Sequence, residues 1–77
     1  MTEPEALIEV LMSGNTVEFG KLCICCINRY YRGPMNKIRF QVHCDHHKLK
    51  QPVSELHDDI VDAVDRFLAL RKLCYGS

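Results

Sequence analysis

The sequence predicts an α+β domain: a short N-terminal helix, a β-hairpin carrying a cysteine–histidine cluster, and a long C-terminal amphipathic helix. Three observations predict it. Residues 37–44 alternate strictly between polar and apolar. Apolar residues between 56 and 74 recur at spacings of three and four. Cys23-Ile24-Cys25-Cys26 is followed, after 17 intervening residues, by Cys44-Asp45-His46-His47.

The N-terminal helix is expected within residues 1–14. Thr2 is a good N-cap, Glu5 stands three positions later to close a capping box, and Pro4 suits the first turn. Leu7, Ile8, Val10, Leu11 and Met12 make a broad apolar face, and Gly14 supplies the stop.

The hairpin is expected within residues 20–50. Lys37-Ile38-Arg39-Phe40-Gln41-Val42-His43-Cys44 puts Ile38, Phe40, Val42 and Cys44 on one face and Lys37, Arg39, Gln41 and His43 on the other. Before it, Ile27 to Arg32 reads as a second strand, with a turn at Gly33-Pro34-Met35-Asn36. Thr16-Val17-Glu18-Phe19 reads as a further short strand.

The C-terminal helix is expected over 52–75, opened by Pro52 with Ser54 as N-cap and ended by Gly76. Leu56, Ile60, Ala63, Val64, Phe67, Leu70 and Cys74 form its stripe, widened by Val61 and Leu68. Asp58 and Asp59 favour its positive end, Arg71 and Lys72 its negative end. The predicted core is Ile38, Phe40, Val42, Leu56, Ile60, Val64, Phe67 and Leu68, with Leu7 and Leu11. Cys74, on the stripe, is expected in that core rather than at a metal.

With 77 residues the chain forms one domain, 1–77. A domain this small buries only about 60% of its unfolded surface and usually needs a staple. Five cysteines, three of them within four positions, make a poor disulfide framework. Glu3, Glu5 and Glu9 stand where a signal peptide needs positive charge. The apolar runs fall far short of the roughly 20 residues of a membrane span. The expected setting is therefore cytoplasmic and reducing, with no membrane, where clustered Cys and His indicate metal.

The predicted site is one structural Zn²⁺ held by Cys23, Cys26, Cys44 and His47, with Cys25, His43 and His46 as alternates. Ligands three residues apart on a tight turn supply half a tetrahedron, and the hairpin returns a second such pair. Three thiolates with one imidazole favour zinc over iron. These residues resemble the broad class of small zinc modules, the zinc ribbons and treble clefs, over roughly residues 20–50. That resemblance implies a closed, non-catalytic ion on which the fold depends. Zinc binding contributes about 10–16 kcal/mol in finger peptides, so the resemblance implies a largely unfolded apo chain.

Formal net charge is zero, but its distribution is uneven. Residues 21–50 carry Lys21, Arg29, Arg32, Lys37, Arg39, Lys48 and Lys50 against Asp45, a net +6. Residues 1–20 carry four glutamates and no base; residues 51–77 net −2. The expected function is a non-enzymatic zinc-binding regulatory or interaction module, an adaptor or inhibitor of a protein partner, with a homodimer through the C-terminal helix as one form. The alternative is nucleic-acid binding, DNA or RNA, in which Arg29, Tyr30, Tyr31, Arg32, Lys37 and Arg39 contact phosphates and stack on bases. An HNH-like nuclease ranks below both, because no Asn follows Asn36 and His57 precedes an acidic helix.

Overall fold

A computed structural model of the chain describes residues 2–30 and 36–76; for 28–30 and 36–37 it describes the backbone alone. Two helices flank a four-stranded antiparallel sheet: α1 (Glu3–Met12), β1 (Val17–Phe19), β2 (Leu22–Tyr30), β3 (Asn36–Cys44), β4 (Val53–His57) and α2 (Ile60–Tyr75). The strands lie side by side in chain order, β1-β2-β3-β4. The α+β class expected from the sequence is the class observed.

Local chemistry explains each boundary. The Thr2–Glu5 capping box forms, with Glu5 N–H donating to Thr2 Oγ1 and Thr2 N–H to Glu5 Oε2, both at 3.4 Å. Ser13 caps the other end, and Gly14 follows at φ +85°. The expected short strand appears as β1. Its turn into β2 passes through Gly20, at φ +60°, where an added Cβ would collide with the Tyr75 hydroxyl.

The C-terminal helix differs from expectation. It begins at Ile60, not near Pro52; its N-cap is Asp59, whose Oδ1 accepts the Val61 N–H at 2.9 Å, not Ser54. Residues 53–57 form β4 instead, half-buried and exposed in alternation, paired to β3 from Phe40↔His57 to Cys44↔Val53. The physical reason is that β3 would otherwise present an open edge, and Val53-Ser54-Glu55-Leu56-His57 suits a strand of period two. Pro52 lies just before this edge strand, where no ladder N–H is required. Gly76, at φ +75°, ends α2 as expected.

The β2–β3 ladder fixes which side chains share a face. Leu22, Ile24 and Cys26 stand opposite Cys44, Val42 and Phe40; the intervening Cys23, Cys25 and Ile27 stand opposite His43, Gln41 and Arg39. The first set joins Leu11 of α1 and Ala63, Val64, Phe67, Leu70 and Cys74 of α2 in one buried core. Both helices therefore cover the same sheet face, and among the described residues no helix covers the other. Fully burying each of the larger side chains contributes about 1.5–3 kcal/mol, so the core rests on apolar packing.

Two predicted core residues lie outside it. Ile38 has the inward parity of Phe40 but is 55% exposed; β4 ends opposite Phe40 at His57, and the β2–β3 ladder runs on beyond it. Leu56, once placed on β4 rather than the helix, falls on the uncovered face and is 43% exposed. Phe40, Val42, Val64, Phe67 and Leu11 are buried as expected, and Leu22 and Ile24 join them.

Candidate functional site

The predicted metal ligands are distributed over three places. Cys23 and Cys26 sit three residues apart on the extended strand β2, so they occupy opposite faces of the sheet. Cys23 is on the uncovered face, across from His43; Cys26 is on the core face, across from Phe40. Cys44 shares that core face but lies four residues along β3 from Phe40, about 13 Å at strand rise. His47 is exposed in the turn after β3. A knuckle would have gathered Cys23 and Cys26; a strand separates them. The set Cys23, Cys26, Cys44 and His47 therefore does not converge on one point in this fold. Among the described residues, no three Cys, His, Asp or Glu side chains are gathered to hold a metal ion.

The alternates fare differently. His46 is buried, and its Nδ1 accepts the Lys48 N–H at 3.1 Å, so that ring nitrogen is already engaged. Its ring stacks on His47 at 4.2 Å and meets the edge of Tyr75 at 4.7 Å. Burial, then the neighbouring charges of His47, Lys48 and Lys21, holds the imidazole below its ordinary pKa. Its work is to close the loop after β3. Cys25 and His43, in contrast, both lie on the uncovered face beside Cys23.

The Cys25 and Cys44 thiols are not primed for nucleophilic chemistry. Burial, reinforced by the adjacent Cys23 and Cys26, raises the Cys25 pKa. Burial, reinforced by the neighbouring Cys74 thiol, raises that of Cys44. Both stay protonated near neutral pH. Cys74 is buried in the core, as the helical stripe indicated.

A polar cluster that the sequence reading missed sits at the edge of the core. Glu55 accepts from Arg66 Nε at 3.1 Å and 3.2 Å and from Arg66 Nη2 at 3.1 Å, and lies 3.0 Å from His57 Nε2. Burial alone would raise the Glu55 pKa, but the Arg66 and His57 hydrogen bonds outweigh it and the carboxyl titrates low. The signal was the alternation of Val53, Glu55 and His57, hidden by reading the segment as helix.

The candidate binding residues lie on the β2–β3 ladder and beyond it. Arg29 pairs with Lys37 and Tyr30 with Asn36 in register. Arg39 Nε stands 3.2 Å from Asp58 Oδ1, an ion pair without hydrogen-bond geometry. Tyr31 and Arg32 lie outside the described residues, as do residues 33–35 of the turn expected at 33–36; Asn36 begins β3. Around Ile27↔Arg39 the sheet changes character. β1 spans only Leu22 to Ile24 of β2 and β4 only Phe40 to Cys44 of β3, so among the described residues the pairs from Ile27↔Arg39 to Tyr30↔Asn36 have no third strand beside them. They form a two-stranded arm. Among the described residues no helix is long and apolar enough to cross a membrane. No family model, no curated protein and no solved structure matches the chain.

Proposed function

We propose that this chain is a non-enzymatic binding module that holds nucleic acid with the two-stranded β2–β3 arm. The observation that carries the reading is the register: the arm runs on where β1 and β4 have stopped. Its sequence, 27–39, holds Arg29, Arg32, Lys37 and Arg39 and no acidic residue. The acidic residues of the chain all lie outside that stretch, although Asp58, just after β4, pairs with Arg39 at its end.

Duplex DNA is the form this geometry favours. A two-stranded ribbon fits the B-form major groove, about 12 Å wide, whereas the A-form groove of RNA is too narrow and deep to admit one. Arg39 is partly engaged by Asp58, leaving about three cations for phosphates.

The test is fluorescence anisotropy with labelled duplex DNA, duplex RNA and single strands over a salt series. Expected is duplex binding whose log K falls with log salt at a slope of about −3. The pair Arg29→Glu, Lys37→Glu should abolish it with the far-ultraviolet circular dichroism unchanged. Absence of binding at low salt, or binding indifferent to that pair, would overturn the reading.

A protein partner is the second reading, supported by Val61 and Leu73 of α2, which are 50% and 61% exposed. Light scattering distinguishes it: concentration-dependent homodimerisation that Leu73→Lys abolishes would favour this reading.

A further inference from the structure

We propose that Cys23, Cys25 and His43 form a binding site for one thiophilic divalent cation, zinc first, on the sheet face that no helix covers. The proposal is independent of nucleic-acid binding and rests on strand geometry.

Residues two apart on a strand share a face, so Cys23 and Cys25 present both thiols on the same side of β2, about 6.6 Å apart along the strand. His43 stands directly across from Cys23 on β3, where opposed Cβ atoms lie about 4.5–5.5 Å apart, and diagonally from Cys25 at about 7–8 Å. A triangle of this size suits a cation with Zn–S near 2.3 Å and Zn–N near 2.0–2.1 Å. Two thiolates and an imidazole are a donor set that selects zinc over hard cations.

The register adds a carboxylate. Glu18 of β1 is opposite Cys23 on its other side, so Glu18, Cys23 and His43 form one row across three strands. All three of Cys23, Cys25 and His43 are half-buried, partly shielded yet reachable from solvent. In the conformation described the side chains do not surround a common point. Binding the cation on this ladder therefore requires the three side chains to take χ1 rotamers other than those described. Each thiol gives up its proton to solvent as its sulfur binds the cation.

Three features keep the other candidates out. Cys26 points to the core across from Phe40, Cys44 is buried against Cys74, and His46 Nδ1 is engaged by Lys48. The set is therefore C-x-C on one strand with a cross-strand histidine, not the pair of C-x-x-C and C-x-x-H turns that the spacing suggests.

The experiment is cobalt(II) titration of the full chain, freed of metal and kept reduced, read by the thiolate-to-cobalt charge-transfer band and by native mass spectrometry, with zinc as competitor. Expected are one cobalt per chain, displacement by zinc, and loss of the band in Cys23→Ser, Cys25→Ser and His43→Ala, each still folded by circular dichroism. Cys26→Ser and His47→Ala should bind as the parent does. Absence of a band in the folded parent would overturn the proposal. So would loss of the band in Cys26→Ser and His47→Ala with retention in Cys25→Ser and His43→Ala.

Discussion

The phenolic oxygen of Tyr75, in the last turn of α2, accepts the backbone N–H of Lys21 at 2.9 Å, tying two ends of the fold that are 54 residues apart in sequence. The same ring meets the edges of Phe19 at 5.1 Å and His46 at 4.7 Å. Arg71, one turn earlier, pairs with Glu3 of α1 and lies over the Phe19 ring. The C-terminal turn of α2 thus gathers α1, the β1–β2 turn and the loop after β3. Tyr75→Phe should cost about 0.5–1.5 kcal/mol, the net value of one hydrogen bond. Gly20→Ala should cost about 1–3 kcal/mol, because an alanine there is strained at φ +60° and its methyl strikes Tyr75. Urea midpoints of the two variants check both.

Acid should destabilise the fold in two steps. His46 is held below its ordinary value of 6.5, so the unfolded chain takes up a proton before the folded one does. Its contribution is fully present above that value and is lost as pH falls from it towards the lower folded pKa. Glu55 is held below its ordinary value of 4.5, and its contribution is lost as pH falls through its still lower folded pKa. Urea midpoints measured against pH should fall first below about 6.5 and again below about 4.5. His46→Asn, whose side-chain oxygen can still accept the Lys48 N–H, should remove the first step. Arg66→Met should shrink the second.

Core and arm should differ in how much truncation costs. Phe67→Ala and Leu22→Ala remove side chains that are 1% and 0% exposed, and each should cost about 2–5 kcal/mol. Ile38→Ala, although it continues the inward alternation, should cost less than about 1 kcal/mol, as surface changes generally do. Thermal denaturation of the three variants separates them.

Chelation discriminates two pictures of the metal. A fold that depended on a closed four-ligand ion would unfold without it. The observed core is apolar and spans both helices and the sheet, while Cys23, Cys25 and His43 lie outside it. Treatment with a strong chelator should therefore leave the helical and sheet circular dichroism intact. Added zinc should raise the melting temperature by mass action alone.

Much of the backbone was legible in the residues. Thr2 and Glu5 announce the capping box, and Gly76 ends α2 in the left-handed conformation only glycine adopts without strain. The alternation from Ile38 to Cys44 marks a strand, and Phe67, Leu70 and Cys74 mark a buried helical stripe. These signals are local: a cap or a period expresses what a few neighbouring residues can satisfy among themselves.

Tertiary structure decided the rest. Val53 to His57 carries both a helical stripe and a strand alternation, and only the open edge of β3, from Cys44 back to Phe40, selects the strand. That choice moved Leu56 to the surface and brought Glu55, His57 and Arg66 together. The cysteines were decided in the same way. The spacing of Cys23 and Cys26 fits a metal-binding turn as well as a strand, and pairing with β3 through residue 44 commits it to the strand. In a strand three residues is an odd step, so one thiol faces the core and the other the open surface. Sequence fixes which chemical groups are available; long-range pairing sets the parity that decides which of them meet.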